Sequence, residues 1–182
     1  RPYLDGLAFY VITDSAARFA AFRTGRVLMS TQGSGGLTSA QAEIAERELK
    51  GKARPLRFVG ISNILVLINV NREPLGDVRV RQALNLVADR PSIIKTAFGG
   101  EGIIATFFLP EPFGRWELPN AEILKMPGYR PDKAADINEA RKLLVEAGYD
   151  KGLSLGIGVR TIHTRAVEVL IEQSKAAGIT LK

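Results

Sequence analysis

Apolar positions recur along this chain with two different periods, and the alternation between them predicts strands interleaved with helices. Gly6 to Thr13 (GLAFYVIT) alternates loosely and is rich in strand-favouring residues, which predicts a strand. Asp14 then stands as a helix cap. The following SAARFAAFRTG, with Ala16, Ala17 and Ala20, the aromatics Phe19 and Phe22, and a closing Gly25, predicts a packed helix. Arg26 to Ser30 predicts a short strand. Beyond the linker from Thr31 to Gly36, Thr38 and Gln41 have capping-box spacing, ahead of a helix striped by Ala42, Ile44, Ala45 and Leu49.

The run from Leu56 to Val70 is nearly continuous in apolar character and predicts one or two strands of the kind buried on both faces. A Pro-Gly turn follows, and Asp77 caps a helix with Val80, Ala83, Leu84 and Val87 at positions i, i+3, i+4 and i+7. Pro91 suits the first turn of a second helix, ending at Gly99-Gly100. Glu101 to Arg130 is a loop broken by Pro110, Pro112, Pro119 and Pro127; a loop this long inside a domain is functional or spans between parts. Asp136 is expected to open a helix through Tyr149, with Ala140, Leu143, Leu144 and Ala147 inward. A strand over Leu153 to Thr161, a helix over Arg165 to Ala177 and a last strand from Ile179 complete an α/β order. That last strand begins as the chain ends, so the sheet is expected to be cut rather than finished.

Composition narrows the picture. With 182 residues, 46% hydrophobic and 24% charged, the chain is an ordinary globular protein of one domain or slightly more. Its most apolar stretch, Ile61 to Ile68, is strand length, well short of the roughly 18 residues of a membrane span. Cysteine is absent, which removes disulfides, thiol catalysis and cysteine metal sites. A net charge of +6 permits anionic partners, but acids and bases interleave (Glu43, Glu46, Arg47, Glu48, Lys50; Glu139, Arg141, Glu146). That pattern fits a basic solvated surface and no nucleic-acid partner. Arg1-Pro2-Tyr3 offers neither an initiator Met nor an apolar leader, so a piece of a longer protein is expected.

Candidate chemistry is sparse. The glycine-rich linker before Thr38 invites a phosphate-loop reading, but no Gly-Lys-Ser/Thr follows, and a flexible connector is the better reading. Gly99-Gly100-Glu101-Gly102 reads as a helix stop and turn. His163, the sole histidine, has no partner at metal-ligand spacing and no evident nucleophile, so neither a metal nor a cofactor is expected. Arg79 and Arg81 could grip a carboxylate, but two residues apart on a helix they diverge, and a structural role is the better reading. The loop Thr106-Phe107-Phe108-Leu109-Pro110, with Phe113 and Trp116, is the most site-like feature; its aromatics either cover a core edge or line a pocket.

Four blocks, in order, resemble the bacterial extracellular solute-binding proteins of family 5. The strongest runs from Asn69-Val70-Asn71-Arg72-Glu73-Pro74 through Asp77-Val78-Arg79-Val80-Arg81-Gln82-Ala83-Leu84 to Asp89-Arg90. Pro2-Tyr3-Leu4-Asp5-Gly6 leading to Ile12-Thr13-Asp14 and Arg18 is a second, and Gly99-Gly100 with Leu109-Pro110 a weaker third. Asp136 to Tyr149, with Glu139-Ala140-Arg141, Leu143-Leu144 and Glu146-Ala147-Gly148-Tyr149, is again strong.

The resemblance implies part of a two-lobed periplasmic-binding-protein (type II) fold, a mixed sheet with flanking helices, truncated at both ends and closing at a hinge. Residues 1–57 would be the tail of the first lobe and crossover, and 58–182 the first half of the second. It implies a periplasmic or lipoprotein-anchored component of an ABC importer that captures a peptide-like or other small solute, delivers it to a membrane permease and does no covalent chemistry. By position, Ser62, Asn63 and Leu65 would lie near the cleft, and Thr106, Phe107 and Phe108 would approach it. The sequence departs from the family where Ile64, Leu65 and Val66 replace frequent aromatics, and where Arg26 and Leu28 replace an acidic pair. Truncated strand edges would favour oligomers of the isolated piece. The rival readings are a small α/β enzyme for a phosphorylated or nucleotide substrate, sited at Gly33 to Thr38 with His163, and a basic interaction module.

Overall fold

Helix caps written into the sequence account for most of the regular structure. The computed structural model describes residues 3–30, 36–56, 63–106 and 118–182. It divides into two units, Arg1–Phe58 and Val59–Lys182, each of which is taken by itself below.

In the first unit, α1 (Ser15–Arg23) starts where the Ala17 N–H donates to Asp14 Oδ1 at 2.7 Å. Helix α2 (Ser39–Leu49) carries the full expected capping box, Thr38 and Gln41 each satisfying the other's backbone N–H. The two helices touch through an Arg23–Glu48 ion pair at 2.5 Å and a Gln41 to Ser15 hydrogen bond. Only Ala42 and Ala45 of α2 are buried, and α1, expected to be packed, buries no residue fully. Two expected strands are not formed. Gly6 to Thr13 forms no strand ladder, with Phe9 and Val11 almost wholly exposed, and Arg26 to Leu28 is bend rather than strand. A strand exists only through a ladder to a neighbour, and no partner strand is present among the described residues of this unit.

The second unit holds the core. Helix α3 (Val78–Val87) is capped by Asp77 and buries Val80, Ala83, Leu86 and Val87, with Leu84 half-buried beside them. Helix α4 (Arg90–Phe98) begins with Pro91 in its first turn under the Asp89 cap, and stops at Gly99 in the left-handed region (φ 64°). A short α5 (Asn120–Ile123) buries Ile123. Helix α6 (Lys133–Glu146) starts ahead of the expected Asp136, because Asp132 takes the cap by accepting from the Ala134 and Ala135 N–H groups. Strand β1 (Leu153–Leu155) is three residues where nine were expected, and it pairs in parallel with β2 (Ile179–Leu181), Leu153 facing Ile179. Between them a 3-10 turn (Thr161–His163) leads into α7 (Thr164–Lys175).

Helix α3 packs on α6, α4 on α7, and α7 on β2. Val80, Ala83, Leu86 and Val87 meet Ala140, Leu144, Leu153, Ile179 and Leu181 in one cluster. Each large side chain so buried contributes about 1.5–3 kcal/mol. Of the expected buried strand from Leu56 to Val70, residues 57–62 lie outside the described residues, and 63–70 are not assigned to a strand.

Candidate functional site

Half of the sequence-predicted site falls on the described residues. Ser62, Phe107 and Phe108 lie outside them, as do Phe113, Trp116 and most of the glycine-rich linker. Asn63 and Leu65 are exposed on the irregular stretch 63–69, where Ile64, Val66 and Leu67 are exposed as well. Thr106 is half-buried at the end of the stretch that follows α4.

The arginines of the Asn69–Arg90 block belong to the scaffold. Arg79 Nε lies 3.1 Å from both oxygens of Asp77, its Nη2 donates to Oδ2 at 2.6 Å, and its Nη1 donates to the Glu146 carbonyl oxygen at 2.6 Å. These bonds hold the Asp77 carboxyl below its ordinary pKa and join the first turn of α3 to the last residue of α6. Arg81 Nη1 donates to the Leu75 and Gly76 carbonyl oxygens at 2.9 and 2.8 Å, closing the turn before the cap.

A second polar group, illegible in the sequence, fixes residues 127–136. The Asp136 side chain is fully buried and accepts from Arg130 (2.5 Å), Lys133 (2.9 Å) and the Gly128 N–H (3.2 Å). Burial pushes this carboxyl up, but the Lys133 and Arg130 hydrogen bonds outweigh it and hold the pKa below the ordinary carboxylate value. On the carbonyl side of the same residue, Arg90 Nη1 donates to the Gly128 carbonyl oxygen at 2.6 Å and Nη2 to Asn85 Oδ1 at 2.6 Å. Burial lowers the Arg90 pKa, though a guanidinium stays charged in a protein. These groups satisfy one another and bind the chain to itself.

The end of the sheet that can meet a ligand is defined by the strand direction. In open α/β sheets, ligands bind outside the carboxyl ends of parallel strands. Here those ends are Leu155 and Leu181, and the ladder runs one step further, Lys182 N–H donating to Leu155 O and Ile157 N–H to Lys182 O. The chain leaves β1 through Gly156 and Gly158, where an added Cβ would meet nothing within 4 Å, and reaches the amino end of α7. Arg160 and Arg165 are exposed there, and half-buried His163 keeps its Nδ1 buried without a hydrogen-bond partner. An imidazole and two guanidiniums at a helix amino end suit polar or anionic groups. His163 ends the 3-10 turn between β1 and α7, the strand-to-helix turn the sequence predicts for it. Among the described residues, no group of three or more His, Asp or Glu could hold a metal ion, and no helix is long and apolar enough to cross a membrane.

The description "Bacterial extracellular solute-binding proteins, family 5 Middle" matches residues 1–182. The chain therefore belongs to the family 5 bacterial extracellular solute-binding proteins. Among its relatives, the glutathione-binding protein GsiB of Shigella flexneri serotype 5b is 29% identical over 185 residues, covering all of this chain and 32% of GsiB. Heme-binding protein A of Haemophilus influenzae is 29% identical over 162 residues, covering 89% of this chain and 27% of that protein. Haemophilus influenzae OppA, solved in complex with RPPGFSPFR, superposes with a TM-score of 0.62 at 26% identity, over 92% of this chain and 32% of OppA. The oligopeptide-binding protein AppA of Bacillus subtilis, in complex with a nonapeptide, gives 0.55 at 21% identity, over 94% of this chain and 34% of AppA, a likeness of fold alone. The α/β fold is thus that of part of a two-lobed, type II binding protein, and the chain spans about a third of the length of the relatives it matches.

Proposed function

We propose that this chain serves the substrate-binding component of an ABC importer, at the periplasmic or extracytoplasmic face, which captures a peptide-like or other small solute and passes it to a membrane permease. The observation that carries this reading is the likeness, over 92% of the chain, to a receptor solved with a nine-residue peptide. In this reading residues 1–57 belong to the first lobe and 58–182 to the second; the division of the structure after Phe58 supports it. Asn63 and Leu65, with Ser62, Thr106, Phe107 and Phe108, contribute to the cleft wall, and the carboxyl end of β1 supplies Arg160, His163 and Arg165. The protein does no covalent chemistry: affinity comes from burying solute between lobes, and the polar groups fix its orientation.

Calorimetric titration of the full-length protein with a peptide library, glutathione and heme tests the reading. Saturable binding of one class, with the ligand recovered unchanged, is expected. Asn63→Ala and Leu65→Asp should each weaken it about tenfold, a loss of ~1.4 kcal/mol, without moving the melting temperature. Absence of binding by any solute, or turnover of a phosphorylated or nucleotide substrate that His163→Ala abolishes, would overturn it.

A further inference from the structure

We draw no further inference here: the strongest candidate, the exposed apolar run from Ile64 to Leu67 on the irregular segment ahead of the Asn69 turn, is an unpartnered face, and nothing in the structure shows what covers it.

Discussion

The guanidinium of Arg90 lies 3.9 Å from the centroid of the Tyr129 ring, and from there it donates to the carbonyl oxygen of Gly128, the residue before. One side chain at the start of α4 thereby holds a turn 38 residues further on. Planarity matters to this arrangement, since stacking and a fork of donors are used together. We predict that Arg90→Lys destabilises the protein by about 1–3 kcal/mol, close to the effect of Arg90→Ala. Urea denaturation of both variants checks this. A lysine variant as stable as the parent would show that charge alone suffices.

Asp136 predicts a pH dependence. Its folded pKa lies below its unfolded value, so the unfolded chain takes up the proton first on acidification. The stabilisation is complete above the unfolded carboxyl pKa of about 3.9, and is lost as pH falls through the folded pKa. Removing one partner of a buried ion pair costs about 3–5 kcal/mol, so Asp136→Ala should approach that loss at pH 7. Asp136→Asn should also flatten the fall in stability below about pH 4. An unchanged acid limb in Asp136→Asn would assign it to other carboxylates.

Gly128 cannot be replaced cheaply. Its φ is +85°, and an added Cβ would stand 2.5 Å from Asn85 Nδ2 and 2.8 Å from the Asn85 carbonyl oxygen. Gly128→Ala should cost about 2 kcal/mol or more, from the left-handed backbone and the clash together. Trimming the neighbour in an Asn85→Ala, Gly128→Ala double variant should not restore stability, because the carbonyl remains. Full recovery would locate the conflict in the Asn85 side chain instead.

Leu144 and Val80, 2% and 0% exposed, sit where α6 and α3 pack together. Leu144→Ala should cost about 2–5 kcal/mol, whereas Val145→Ala, at a position 58% exposed on the same helix, should change stability by less than about 0.5 kcal/mol. Equal effects of the two would remove the core assignment of α6.

The helices were legible because their signals are local. Asp14, Thr38 and Asp77 cap where their positions predict, Pro91 takes the first turn of α4 as expected, and the stripe of α3 points inward apart from the partial exposure of Leu84. The start of α6 was misplaced for an equally local reason: two acids, Asp132 and Asp136, compete for one cap. Which of them turns into the core depends on Arg130 and Lys133 reaching the second. The strands fared worse. Gly6 to Thr13 has the composition of a strand, but composition supplies no partner to pair with. The site was less legible still, since Asn63 and Leu65 were placed by resemblance alone and Thr106 only as the start of an aromatic, proline-rich loop.

Sequence by itself determined where most of the helices lie, and the family, because caps, prolines and apolar periodicity act within one or two turns of the chain. Only the tertiary structure decided that Arg79 and Arg81 hold carbonyl oxygens rather than a solute, that Asp136 is buried in a satisfied polar group, and that β1 and β2 run parallel. Those outcomes depend on contacts between residues far apart in the chain, such as Arg79 with Glu146 and Arg90 with Gly128, and no local pattern of residues encodes them.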